Sequence, residues 1–330
     1  MTTPAPDSQT LLNQIVLEFM KEQRRKRRMR HLLRAAFLGL MLLSAYSVFS
    51  EISTDLHLKN QTHVGLIDLI GEIADEGPVN ADDFTKSLDT AYKSKHLKAL
   101  ILRINSPGGS PVQADYMYHK LRIHKQQYPH IPVYAVCMDM CASAAYYAAA
   151  GATYIYANPS SLVGSIGVLY AGFGFVDTLK KIGVDRRLYT SGSYKGFLDP
   201  FSPTTPQQVQ LLQTMLQDIH QTFIARVKEG RGKRLHDSPD LFSGLFWTGI
   251  QAKKLGLIDD FGSAGDIIHT KLHAKHVVDY TIKKSILDRF AKNINSSMRD
   301  PQSYLKSLMN VTSYKTFELK LSWDRFKAIG

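Results

Sequence analysis

Cysteine is scarce. The chain has two, Cys137 and Cys141, too few for a disulfide framework and wrong in count and spacing for a zinc site. Buried packing as small hydrophobes is one reading for them. Pairing in an oxidising compartment is the other, and it depends on whether the turn around them brings the two sulfurs together. The twelve histidines form no His-Glu-x-x-His or related frame, which removes the common helical metal-hydrolase pattern. Gly172-Phe173-Gly174 lacks the third glycine and the ribose-binding acid of a dinucleotide loop and reads as a turn. There is no internal repeat, and no low-complexity linker beyond the first thirty residues.

Charge is abundant but unevenly placed. Residues 1–34 carry eight basic side chains (Lys21, Arg24, Arg25, Lys26, Arg27, Arg28, Arg30, Arg34) against Asp7, Glu18 and Glu22, a balance of +5 within a total of +12. Such a run could serve nucleic acid, but it directly abuts an apolar segment, and that position speaks against nucleic acid. The segment occupies 32–52, and its eighteen residues 35–52 contain one charge, Glu51. As a helix they reach roughly 27 Å, about one hydrocarbon core. Arg34 can snorkel to the near interface, and the positive flank predicts a cytoplasmic N-terminus with everything after residue 52 across the membrane. A cleaved signal peptide and a buried core helix are the other readings. The long tail and the lack of a clean Ala-x-Ala site disfavour the first of these.

Beyond the anchor, short β-branched runs alternate with helical patterns. Strands are expected at 64–70, 97–104, 131–138 and 154–157. Helices are expected from Asn80-Ala81-Asp82-Asp83-Phe84, over 112–128, 142–150 and 205–228, and from Trp247. This repetition predicts an α/β fold with parallel pairing and helices on the sheet faces. From about Tyr280 the rhythm is lost and the chain becomes basic and polar. Ile286, Leu287, Phe290, Ile294 and Met298 make a helical stripe there, suited either to packing on its own domain or to lying on a membrane surface.

Three local frames can carry chemistry. Pro107-Gly108-Gly109 follows a buried run, and backbone N–H groups freed of side-chain cover can hold an oxyanion. Ser143 stands in Cys141-Ala142-Ser143-Ala144-Ala145-Tyr146-Tyr147, where it is either a helix cap or a nucleophile raised on a strand-to-helix turn. Lys195 stands in Ser191-Gly192-Ser193-Tyr194-Lys195-Gly196. It is either a solvated surface amine or a base whose proton is stripped by burial under Tyr194 and Phe197, with Asp199 opposing that shift.

Together, Ile104-Asn105-Ser106-Pro107-Gly108-Gly109-Ser110, the Cys141–Ala150 stretch, Gly164-Ser165-Ile166-Gly167-Val168 and the Lys195 loop resemble the signal peptide peptidase A family, the S49 serine peptidases of the ClpP/crotonase superfamily. The order and spacing match over roughly residues 60–275. The resemblance implies a repeated β-β-α spiral domain preceded by one transmembrane helix. It divides the chain into a basic tail (1–31), an anchor (32–52), a peptidase domain (53–275) and a basic extension (276–330). It assigns Ser143 as nucleophile, Lys195 as base, Ser165 as the group orienting the lysine, and the Gly109 N–H as oxyanion donor. It also implies peptide substrates such as cleaved signal peptides, a bacterial inner-membrane setting in contact with lipid, and ring- or dome-shaped homo-oligomers with sites at subunit junctions. No cofactor, metal or nucleic acid is implied. The family commonly has Ala-Ser-Gly-Gly where this chain has Ala142-Ser143-Ala144-Ala145, which bears on the shape of the cleft. A catalytically inactive scaffold of the same fold and a crotonase-like acyl-CoA enzyme are the rival expectations.

Overall fold

The computed structural model describes residues 8–282, with side-chain surroundings outside positions 8–15, 48 and 50–58. The stripe Ile286–Met298 and most of the basic extension lie outside the described residues. A first helix, α1 (Ser8–Lys59), contains both the basic run and the expected anchor. Positions 48 and 50–52 of that anchor fall among the side chains not described. Among the described residues, no helix is long and apolar enough to cross a membrane.

Among the described residues, eight strands form one sheet: β1 (His63–Ile70), β2 (Leu97–Ser106), β3 (Val133–Ala142), β4 (Tyr154–Ala157), β5 (Leu162–Gly164), β6 (Phe246–Thr248), β7 (Asp260–Phe261) and β8 (Val277–Asp279). Their order is β6-β5-β3-β2-β1-β8, with β4 pairing β3 and β7. Every pairing is parallel except β5 with β6. The expected parallel α/β architecture is therefore present.

The central strands read as nearly continuous apolar runs because both faces are covered. Alternate residues divide cleanly between two cores. Ile67, Leu69, Leu100, Leu102, Ile104, Val133 and Ala135 point to the larger cluster. Val64, Leu66, Ala99, Ile101, Tyr134 and Val136 point to the smaller one, closed by Ile267, Ile268 and Leu272 of a π-helical turn and its end.

On the larger face pack α2 (Ala81–Tyr92), α3 (Pro111–Gln127), α4 (Ala144–Ala149) and the C-terminal half of α6 (Pro206–Arg231). Between α4 and α6 runs a long segment with one short helix, α5 (Val176–Lys181), that buries nothing. Helix α2 begins where expected: the Asn80 side chain accepts from the Asp83 N–H at 2.8 Å, and Asp82 and Asp83 complement the dipole of the first turn. Ser110 caps α3 with Pro111 at its first position.

Three differences from the expected boundaries bear on the site. Strand β3 runs to Ala142 rather than ending at Met138, because an irregularity after Cys137 is absorbed within the strand. Helix α4 accordingly starts at Ala144. Trp247 lies on β6, paired with Val163, and the helix it was expected to open, α7 (Gly249–Lys254), starts beyond a Thr248–Gln251 capping box.

The C-terminal end of α6 is fastened to β4 and β7 by a buried ion pair. Arg231, with a side chain 1% exposed, meets both Asp259 oxygens at 2.9 and 3.0 Å, and Arg234 adds a third bond at 3.1 Å. Asp259 also accepts from the Ile155 N–H at 2.7 Å. Burial alone would raise this carboxyl, but the Arg231 hydrogen bonds and charge and the Ile155 N–H hold it below its ordinary range. A depressed folded-state value contributes stability that is present above the unfolded carboxylate pKa, about 3.9, and is lost as pH falls through the folded value. Asp259→Asn, which strands a buried guanidinium, is expected to destabilise the fold by about 3–5 kcal/mol at pH 7 in urea unfolding. It is also expected to flatten the loss of stability on acidification below pH 4. A variant within about 1 kcal/mol of the parent would show that α6 is held by packing alone.

Candidate active site

Only four non-glycine residues among those described have positive φ, and two of them are Ser143 (φ 54°) and Ser165 (φ 51°). A β-carbon in this region is strained by about 1–3 kcal/mol and persists only where the surroundings over-determine it. The origin of the strain at Ser143 is visible. Strand β3 ends at Ala142, α4 begins at Ala144, and the single residue between them turns the chain with φ 54° and ψ −125°. Its N–H donates to the Gly164 carbonyl at 2.8 Å, and its own carbonyl accepts from Tyr147 at 3.0 Å. The side chain makes no capping bond. The cap reading of this serine is thereby removed, and the backbone has the sharp strand-to-helix form that raises a hydroxyl above a sheet.

Ser165 is placed by the next strand. Strand β5 ends at Gly164 (φ 100°), and the Ser165 N–H donates to Leu245 at 2.8 Å. The Ile166 carbonyl faces His220 of α6 at 3.0 Å. One wall is thus tied to β6, and the opposite wall comes from the 107–111 turn. There Ile73 donates to the Gly108 carbonyl at 2.8 Å and accepts from Ser110 at 2.7 Å. In that parallel bridge the N–H of Gly109 points away from Ile73, and no acceptor for it is found among the described residues.

Glycine is required at both turn positions. A β-carbon on Gly108 would lie 2.7 Å from the Ser143 β-carbon and 2.8 Å from the Ala142 carbonyl oxygen. One on Gly109 would lie 2.1 Å from the Ile73 oxygen. Their φ values of 108° and 140° add to the case.

Gly109, Ser143 and Ser165 share one cavity of about 590 Å³. Pro107, Val168, Leu169, Ile219, Phe223 and Phe246 supply apolar walls, and the lining contains no Asp, Glu, Lys, Arg or His. Ala144, one of the two alanines standing for glycine, also lines it. Tyr147 and Phe223 stack at 4.7 Å across the floor, and the Tyr147 hydroxyl donates to Asp115 at 2.6 Å. Burial pushes that phenol well up, so it remains a neutral donor. Sequence reasoning missed the roles of Ile219 and Phe223. Their spacing on the amphipathic α6 was the available signal, but any helix packing on its own core shows the same stripe.

Lys195 is elsewhere. It is exposed, lies on the 168–205 arm, and is not among the residues lining the Ser143 cavity. Tyr194 beside it is itself 56% exposed. Asp199 is engaged by Ser202 at 2.6 Å and Arg186 at 3.5 Å. A single copy of the chain therefore brings together three of the four expected residues.

Residues 125–278 match the model of peptidase family S49. The chain is 49% identical over 175 residues to a Na⁺/H⁺ antiporter NhaA of Brucella melitensis, covering 53% of this chain and 24% of that protein. It is 31% identical over 260 residues to a chloroplastic serine protease SPPA of Arabidopsis thaliana (76% and 38%). It is 28% identical over 231 residues to protease 4 of Salmonella typhi (68% and 36%). The aligned stretch spans well under two thirds of the length of each of these curated relatives.

The close fit at Gly108 yields a direct test. Gly108→Ala is expected to cost about 1–3 kcal/mol in denaturant unfolding through overpacking against the Ser143 turn. Unchanged stability would show that the turn has room to retreat.

Proposed function

This chain belongs to peptidase family S49, and from that premise we propose that it is a membrane-anchored serine endopeptidase with a Ser143/Lys195 dyad. The observation that carries the reading is the strained Ser143, whose hydroxyl makes no capping bond and which shares a cavity with a free Gly109 N–H. In this mechanism a neutral Lys195 takes the Ser143 proton and the serine oxygen attacks a peptide carbonyl. The Gly109 N–H then holds the oxyanion, a contribution of about 3–4 kcal/mol for one donor. The amine returns its proton to the leaving nitrogen, and water releases the acyl group. Ser165 orients the amine.

We assign the lysine to a neighbouring copy, so that the site is completed at a junction within a ring or dome. Two features support this. Lys195 does not line the cavity of its own chain, and its arm exposes large apolar groups, with Leu169, Phe173 and Tyr189 more than 80% exposed. Such a junction would also supply the burial that a lysine base needs. The uncharged, apolar lining supports substrates with small or apolar side chains, such as remnant signal peptides and other membrane-associated or unfolded polypeptides. The spiral β-β-α arrangement of the ClpP/crotonase superfamily is our reading of the parallel sheet.

For the anchor, support comes from the side chains of Leu32, Leu33, Phe37, Leu40, Leu42 and Leu43, which are exposed among the described residues, next to the basic run. We place the tail in the cytoplasm of a bacterial cell and the catalytic domain beyond the inner membrane.

Ser143→Ala and Lys195→Ala are each expected to lower hydrolysis of an unfolded polypeptide by roughly 10³-fold or more with unchanged circular dichroism. Substantial hydrolysis by either pure variant would overturn the dyad. Mixing the two inactive variants is expected to restore part of the activity, since some junctions would pair an intact serine with an intact lysine. No recovery would return the base to the serine's own chain. The exposure of Lys195 favours one second reading, a catalytically inactive scaffold, for which the parent protein itself would fail to cleave. Deleting 32–52 is expected to move the protein from the carbonate-resistant membrane pellet to the supernatant.

A further inference from the structure

The irregularity in β3 has a chemical consequence. Ile104 of β2 pairs with Cys137 and Ser106 pairs with Cys141, so four steps along β3 occupy the length of two along β2. Residues two apart on a strand face the same side, separated by about 6.6–6.8 Å. The two cysteines inherit that spacing, at the upper end of the roughly 4.4–6.8 Å over which a disulfide joins two α-carbons. Both belong to the same core cluster and are free thiols. Burial first, and then the neighbouring Cys137, holds the Cys141 thiol protonated.

Between them β3 bulges relative to β2, while Met140 still pairs with Leu162 of β5, and the bulge is pinned. Met140 donates to the Asn105 side chain at 3.2 Å, Asp139 accepts from Asn105 at 2.9 Å, and Ser161 donates to the Met138 carbonyl. This bulge walls a second, larger cavity of about 940 Å³, whose lining includes Cys137, Met138 and Asp139.

We propose that Cys137 and Cys141 are a redox site that closes to an intrachain disulfide and thereby adjusts the turn holding Ser143. Cys137 lines the cavity although it is only 2% exposed, whereas Cys141 is fully buried, so Cys137 meets the oxidant first. Its thiolate attacks a small disulfide such as oxidised glutathione, forming a mixed disulfide and releasing one glutathione thiol. The Cys141 sulfur, losing its proton to solvent, then attacks the Cys137 sulfur and releases the second. Two protein thiols are oxidised by two electrons, and one small disulfide is reduced to two thiols. Closing to the common span of about 5.5–6 Å shortens the strand end by roughly 0.6–1.3 Å. Cys141, Ala142 and Ser143 are held in sequence against Val163 and Gly164, so the shift is passed to the nucleophile, where about 1 Å of misplacement can cost up to roughly 10²-fold.

The test incubates the full-length protein with oxidised glutathione, then denatures, alkylates and digests it for mass spectrometry. The expected result is a peptide cross-linked between Cys137 and Cys141, restored to two alkylated thiols by dithiothreitol. In Cys141→Ser a glutathione adduct is expected to accumulate on Cys137. Two alkylated thiols in the oxidised parent, or a bond only between chains, would overturn the site. The coupling to Ser143 rests on the peptidase reading, and turnover is expected to fall about 10-fold on oxidation in the parent but not in Cys137→Ser. A cross-link with unchanged turnover would overturn the coupling. A reduced parent that never hydrolyses peptide would instead refute the peptidase reading, with the mass result still deciding the disulfide.

Discussion

The contact on which the site depends is between two pieces of backbone. The turn after β2 presses against the end of β3 so closely that a β-carbon at Gly108 would stand 2.7 Å from that of Ser143. Only a residue without a side chain allows that approach, and only with it does Gly109, held by Ile73 on its other side, reach the cavity containing Ser143. The positive φ of Ser143 is sustained from both ends, by its N–H on Gly164 and by the first turn of α4. Strain at one residue is thus carried by three strands, as is common where geometry serves chemistry.

Around this contact the chain divides into a saturated part and an unsatisfied part. The sheet is buried on both faces, and its alternation assigns successive residues to opposite cores with little ambiguity. The arm from 168 to 205 and the first turns of α6 bury almost nothing, although they carry many large apolar side chains. A surface of that kind is ordinarily covered by something, and Lys195 lies on it. The same chain therefore holds Ser143 in a rigid frame and Lys195 on a segment that its own packing does not position.

Much of the site was legible in the sequence because backbone demands leave chemical signatures. Gly108 and Gly109 follow a β-branched run, and Ser143 sits where such a run meets small residues. Asn80 and Ser110 are caps with a mechanism. What escaped was set by partners distant in the chain. Strand β3 runs past Met138 because β5 and β2 both bind its far end, and no local pattern announces a bulge inside a strand. Trp247 has the look of a helix start, but Val163 recruits it into the sheet.

The sequence by itself determined the alternation of elements, the parallel sheet, and the serine, glycine and lysine frames, since each follows from local periodicity, caps and turn chemistry. Only the tertiary structure decided that the Ser143 side chain caps nothing, that Tyr147 and Phe223 floor its cavity, and that two cysteines four residues apart face the same core. It also decided that Lys195 lies away from the cavity of its own chain. These are distances between segments remote in the chain, and they are decided when backbone from one strand excludes or admits backbone from another.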